Sequence, residues 1–320
     1  MTTPSPEDLQ RFLGSKAING PYELGPDSLP HPEVPEGRLT PFTWAESAVY
    51  PGVTRECVLY RPAQYDGLAE AALHVFNDGG LYLAETANAH RTLDTLIHRG
   101  DIPVSLALFV NPGSPGPGLP LWGGGDNRSV EYDTVDGAYA RLLTEELIPH
   151  VAKSHRLSND PAMRAIVGIS SGGICAFNAA WERPDVFGKV VSHCGSYVNI
   201  RGGDRVPSMV RRAERKALRV FLQTGEHDLD IVFGDWPLAN RTLASALAYR
   251  GYDHRLVVGE SGHGLRHGAA ILPETLRWLW RDGGATTHLS DRYLPQLSYR
   301  FIRSPSPHRR AWRTHDRQPR

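Results

Sequence analysis

The strongest constraint on the fold of this chain is an alternation. Short apolar runs, several of them unbroken by a polar residue, are separated by longer stretches whose apolar residues recur at helical spacing. The runs Glu56 to Tyr60, Leu73 to Asn77, Val104 to Val110, Met163 to Gly168, Lys189 to Ser192, Leu218 to Gln223 and His254 to Val258 predict strands. VSLALFV and RVFLQ are continuous rather than alternating, as expected of strands covered on both faces. Helices are predicted over Glu85 to Arg99, Thr134 to His150, Ser171 to Trp181, Pro237 to Arg250 and Ala269 to Trp280. Strand followed by helix, repeated, implies an α/β fold with a mostly parallel central sheet and helices on both faces.

The ends of the chain differ in texture. Residues 1–41 are rich in Pro, Gly and acidic side chains with little periodicity, and read as an arm that lies on the domain or is partly disordered. Residues 286–320 are basic, bear prolines and are nearly free of aliphatic side chains, which predicts a flexible tail. The body of the protein is therefore expected within 42–285. Basic and acidic side chains balance at 35 each, so no global field recruits nucleic acid or an anionic membrane. The start, MTTPSPEDLQRFLG, lacks the basic and apolar regions of an export signal, and no apolar run is long enough to span a bilayer; a cytoplasmic protein is expected. Cys57, Cys175 and Cys194 are far apart and lack CxxC spacing, so they read as free thiols rather than disulfides or zinc ligands.

Function on such a sheet sits at the carboxyl ends of strands. Gly168-Ile169-Ser170-Ser171-Gly172 lies where a predicted strand meets a predicted helix, which is the setting that gives a G-x-S-x-G motif its meaning. The flanking glycines allow a sharp elbow that lifts the Ser170 hydroxyl above the sheet edge. The Ser171 N–H, in the first turn of the helix, is then available to an oxygen that becomes negative when a carbonyl is attacked.

An unactivated serine is a poor nucleophile, so this reading demands a base and a carboxylate to orient it, following in the order Ser, acid, His. The run RVFLQ leads into Thr224-Gly-Glu-His-Asp-Leu-Asp230, which offers Glu226, Asp228 and Asp230. The run RLVVG leads into Glu260-Ser-Gly-His-Gly264, which places His263 in a small-residue loop before the last helix. Asp228 is preferred, because Glu226 comes directly after the strand and Asp230 begins the next stretch. His267 four residues beyond His263 lacks the glutamate of a zinc-binding HExxH, and His193 and His227 precede the base in order; no metal and no cofactor is expected. A second oxyanion donor is expected at Gly79 in the Asp78-Gly79-Gly80 turn, where a backbone N–H can approach closely, although Asn-Asp-Gly-Gly also suits a hairpin.

EELIPHV, AIVGISSGGICAF and ERPDVFGKVVSHCGSY, between Glu145 and Tyr197, together resemble the enterochelin esterase family of α/β-hydrolases. FNDGGLY, the run Asn127 to Tyr132, GESGHG and ETLRWLW extend the resemblance over roughly residues 42–281. It implies an α/β-hydrolase with 42–285 as the catalytic domain, and the roughly twenty residues between Gly195 and Leu218 leave no room for a large cap. It further implies a serine carboxylic-ester hydrolase in which Ser170 is the nucleophile, His263 the base and Asp228 the orienting acid. Arg128 is then expected at the polar head of the substrate. One departure is that Gly264-Leu265-Arg266-His267 follows the histidine where relatives often carry a tryptophan, which argues against a catecholate siderophore.

The loop NPGSPGPGLPLWGGGDN, from Asn111 to Asn127, is long and rich in Gly and Pro, as functional loops often are. Trp122 within it and Arg128 and Glu131 after it are the candidate substrate contacts, the alternative being that Arg128 pairs with Glu131 or Asp133. The expected partner is a small-molecule ester, with neither nucleic acid nor membrane involved. An acyltransferase using the same triad is the alternative to a hydrolase; a non-catalytic binding protein would be expected to have lost a triad member.

Overall fold

The computed structural model describes residues 4–114, 127–281 and 300–301. Its strands are β1 (Arg38–Trp44), β2 (Arg55–Arg61), β3 (Ala72–Asn77), β4 (Ser105–Val110), β5 (Arg164–Ile169), β6 (Lys189–His193), β7 (Arg219–Gly225), β8 (Asp230–Ile231), β9 (Gly234–Asp235), β10 (Asp253–Gly259) and β11 (Arg300–Phe301). All but β8 and β9 form one sheet in the order β1-β2-β4-β3-β5-β6-β7-β10-β11. From β4 to β10 every neighbouring pair is parallel, while β1, β2 and β11 are antiparallel additions at the two edges. Each run predicted as a strand is a strand. β3, β4, β5 and β6 are buried along their whole length, as their unbroken apolar sequences require.

The helices are α1 (Pro6–Ala17), α2 (Gly79–Leu83), α3 (Ala89–His98), α4 (Arg128–Asp133), α5 (Ala138–Arg141), α6 (Ile148–Ala152), α7 (Ser171–Glu182), α8 (Val206–Arg212), α9 (Trp236–Tyr249), α10 (Leu265–Ala270) and α11 (Leu272–Trp280). A π-helical segment, Leu142–Leu147, joins α5 to α6 in place of the single helix the periodicity predicts. Side chains of α5 to α9 fill one face of the sheet, and those of α3 and α11 fill the other, giving two apolar layers around one sheet. Every crossover enters its helix above the carboxyl ends of the parallel strands, where the turns after β3, β5, β7 and β10 converge.

The expected boundary at residue 41 falls inside β1, which pairs with β2 along Arg38 to Trp44. The strand escapes sequence reading because it carries Pro41 and is largely exposed, both tolerated on an edge. Residues 6–17, expected without regular structure, form α1. Ser5 caps it by accepting from the Asp8 N–H while Asp8 bonds back to the Ser5 N–H, and Pro6 occupies its first turn. Of the basic tail only β11 is described, paired with Val257 and Val258.

Candidate active site

Ser170 stands between β5 and α7 with φ 58° and ψ −122°, a conformation that costs a non-glycine residue about 1–3 kcal/mol. The surroundings enforce it. A Cβ on Gly168 would lie 2.0 Å from the Gly172 carbonyl oxygen, and one on Gly172 would lie 2.6 Å from Asp78 Oδ2, so only glycines let strand, helix and neighbouring turn close together. The Ser170 N–H donates to the His193 carbonyl at 2.8 Å, which ties the elbow to the end of β6.

Ser170 Oγ lies 2.9 Å from Nε2 of His263, and His263 Nδ1 lies 2.6 Å from Asp228 Oδ1. These three residues come from the turns after β5, β7 and β10, and the last two are buried. Asp228 is itself held in place, accepting from the Leu229 N–H at 2.8 Å and the Thr224 hydroxyl at 3.0 Å. Burial disfavours its ionisation, but the neighbouring imidazole, its hydrogen bond and these donors outweigh burial and hold the carboxyl below its ordinary value. The other two carboxylates point elsewhere: Glu226 pairs with Arg241 at 2.7 Å, and Asp230 is exposed near Arg11.

Two residues not singled out from sequence complete the surroundings of Ser170. Ser196 Oγ lies 3.3 Å from Ser170 Oγ and accepts from Trp236 Nε1 at 3.2 Å. The Trp236 ring meets the His263 ring edge-on at 5.9 Å. Position after β6 was the available signal for Ser196, and the start of α9 for Trp236. Beneath His263, the Cys194 thiol lies with the Asp228 and His263 donor atoms within 4.8 Å of one another. Burial, reinforced by Asp228, holds this thiol well above its ordinary range. The thiol donates to Gln223 Oε1 at 3.7 Å and to the Gly264 carbonyl at 3.6 Å.

Ser171 opens α7, and among the described residues its N–H has no protein acceptor. Asp78, in the left-handed region, caps α2; the Gly79 N–H likewise has no acceptor among the described residues, whereas the Gly80 N–H donates to Asn111 Oδ1 at 2.9 Å. Asn77 fastens this turn to the nucleophile helix by donating to the Gly172 carbonyl at 3.0 Å while accepting from the Tyr139 hydroxyl at 2.9 Å.

The expected substrate contacts fare differently. Arg128 binds Asp78 through two bonds of 2.8 Å and also reaches the Ile169 carbonyl, so its partner is neither Glu131 nor Asp133, though it keeps a partly exposed edge. Asp133 is buried close by; burial pushes its pKa up to about 6 against the pull of Arg128. Glu131 must be reassigned. Its carboxylate is fully buried against Arg55, with bonds of 2.8 and 2.9 Å, and also accepts from the Gly113 N–H and Asn127 Nδ2. It closes the two ends of the long loop and cannot meet a substrate while so engaged. Trp122 lies outside the described residues.

The arrangement is a hydroxyl, an imidazole and an ionised carboxylate in series beside backbone donors, on a sheet whose order is that of an α/β-hydrolase. Residues 50–279 match the family model Esterase, described as "Putative esterase". The chain belongs to this esterase family. It is 25% identical over 279 residues to an iron(III) enterobactin esterase from Dickeya dadantii (strain 3937), an alignment covering 82% of this chain and 58% of the relative. Among solved structures it is similar to the enterochelin esterase of Shigella flexneri, with a TM-score of 0.65 and 21% identity over 82% of this chain and 62% of that one. It is also similar to a ferulic acid esterase from Anaeromyces mucronatus, with a TM-score of 0.63 and 14% identity, covering 80% and 95% of the two chains. The chain thus spans less than two thirds of the enterobactin esterases it matches, but nearly the whole length of the ferulic acid esterase in residues aligned. No helix among the described residues is long and apolar enough to cross a membrane.

Proposed function

We propose that this protein is a serine carboxylic-ester hydrolase acting on a small or medium ester. The observation that carries the reading is the unbroken series from Ser170 Oγ to His263 to Asp228, at 2.9 and 2.6 Å, on a strained elbow in a chain of the esterase family. Asp228 accepts the proton-bearing Nδ1 of His263, which leaves Nε2 as the acceptor for the Ser170 hydroxyl. As the Ser170 oxygen attacks the ester carbonyl, His263 takes its proton, and the oxygen that becomes negative is met by the Ser171 N–H and the Gly79 N–H. Collapse expels the alcohol, which receives the proton from His263. Water activated by the same imidazole then releases the acid.

The solved relative named for ferulic acid makes esters of aromatic acids the first class to examine. The test is turnover of p-nitrophenyl esters of increasing acyl length alongside feruloyl, acetylated-sugar and lactone substrates. Hydrolysis by the wild type, with Ser170→Ala reduced by at least about 10³-fold, supports the reading. Turnover that survives Ser170→Ala contradicts it.

A further inference from the structure

The N-terminal helix lies against the two loops that carry the acid and the base. On the acid side, Asp8 Oδ1 accepts from the Val232 N–H at 2.9 Å, Arg11 reaches the Asp230 carbonyl at 3.2 Å, and the Ser15 hydroxyl donates to the His227 carbonyl at 2.7 Å. On the base side, the same Ser15 oxygen accepts from the His263 N–H at 2.8 Å, the Ile18 carbonyl accepts from the Gly262 N–H at 2.8 Å, and the Tyr22 hydroxyl accepts from the Glu260 N–H at 2.9 Å. One buried hydroxyl therefore bridges the residue before Asp228 and the backbone of His263 itself. The fit leaves no slack: a Cβ on Gly262 would lie 1.8 Å from the Ser15 carbonyl oxygen, so the base loop is shaped to receive this helix. Beyond Ser15, the Phe12 ring lies 6.0 Å from the His263 ring and packs on the small apolar cluster of Val198, Leu229, Ile231 and Trp236.

Between themselves the backbones of the loops after β7 and β10 share two bonds, Glu226 N–H to the Gly259 carbonyl and His227 N–H to the Ser261 carbonyl. Both ties lie on the strand side of the catalytic groups. The His263 N–H and the Gly262 N–H are held by residues 15–22, while the Cys194 thiol reaches the Gly264 carbonyl beyond them. A displacement of about 1 Å in such a group costs on the order of 100-fold in rate, so whatever holds its backbone bears directly on turnover.

We infer that the N-terminal segment is a clamp on the catalytic machinery, with Ser15 the positioning residue that sets the acid loop and the base loop in register. This rests on the triad reading above. Ser15 touches no reacting atom; it acts through His263. Removing its hydroxyl frees one donor and one acceptor in the two loops at once, without altering the nucleophile or the oxyanion donors.

The test compares full-length wild type, Ser15→Ala, Ser15→Thr and Tyr22→Phe for kcat and KM on one p-nitrophenyl ester, for the rate of fluorophosphonate labelling and for thermal midpoint. Ser15→Ala is expected to lose on the order of 10-fold in kcat and in labelling rate with KM within about twofold, and Ser15→Thr, which keeps the hydroxyl, to recover most of the loss. Tyr22→Phe loosens the same base loop at an independent point and should lower kcat a few-fold even if Ser15→Ala does not fold. An active wild type whose folded variants match it in kcat and labelling, or lose only thermal stability or KM, overturns the clamp alone. A wild type that neither labels nor turns over ester overturns the triad reading, and the clamp with it.

Discussion

The Asp228 carboxylate meets the His263 imidazole at 2.6 Å with its two oxygens already occupied by the Leu229 N–H and the Thr224 hydroxyl. A carboxylate so fixed selects one tautomer of the imidazole, the one whose free nitrogen faces Ser170. Asp228→Asn should therefore lower kcat by up to about 10⁴-fold, since the amide favours the wrong tautomer. Glu226→Gln and Asp230→Asn, altering exposed carboxylates that face Arg241 and Arg11, should cost less than about tenfold. Steady-state kinetics of the three amides decide the assignment.

Arg128 stands where a substrate could be held, yet both of its bonds of 2.8 Å go to Asp78, the residue that opens α2 beside Gly79. Its replacement is expected to act through that turn. Arg128→Lys, which loses the paired geometry, should lower kcat more than it raises KM. A change confined to KM would instead make Arg128 a direct contact of the substrate.

Arg55 and Glu131 form an ion pair shut off from water. Glu131→Gln leaves the guanidinium charge buried without its partner and should cost about 3–5 kcal/mol of stability. Arg55→Met combined with Glu131→Leu should recover much of that loss. Urea unfolding of the two variants measures both effects.

Three buried histidines contribute to the response to acid. Burial pushes His74 and His193 down to about 3 and His267 to about 4; Lys189 adds to the effect at His74, and His267 at His193. Their direct hydrogen-bond and ring partners are uncharged: Trp280 at His74, Tyr82 at His193, and Gln223 and Tyr22 at His267. Their folded values lie below the unfolded value of about 6.5, so the unfolded chain binds more protons in this window. Stability from these groups is complete above about pH 6.5 and falls as the pH drops toward 4, by up to about 1.4 kcal/mol per pH unit for each histidine. Urea unfolding at pH 7, 6 and 5 should show the decline, and His74→Gln should make it shallower.

What was legible in the sequence follows from what local pattern encodes. VSLALFV and RVFLQ predict buried parallel strands because burial on both faces leaves no place for alternation. The elbow is legible because its backbone needs glycine at Gly168 and Gly172. Asp228 could be preferred among three carboxylates, but only the turn after β7 separates it from Glu226 and Asp230 in space. The Arg55–Glu131 pair joins residues 76 apart, and an ion pair between a strand and a distant helix leaves no periodic mark, so Glu131 reads as an available surface charge. The helix at 6–17 carries its cap in plain view at Ser5 and Asp8, yet its apolar stripe is weak. Its docking rests on polar bonds from Ser15 and backbone carbonyls, which no hydrophobic period reports.

The central claim is that Ser170 is an activated nucleophile. Fluorophosphonate labelling followed by peptide mass spectrometry tests it most directly, because the reagent requires the serine, the base and the oxyanion donors to act together. Single labelling of the peptide containing Ser170, absent in Ser170→Ala and strongly slowed in His263→Ala, is the expected result. Labelling that persists at another residue in Ser170→Ala, or a wild type that resists the reagent while hydrolysing esters, would contradict it.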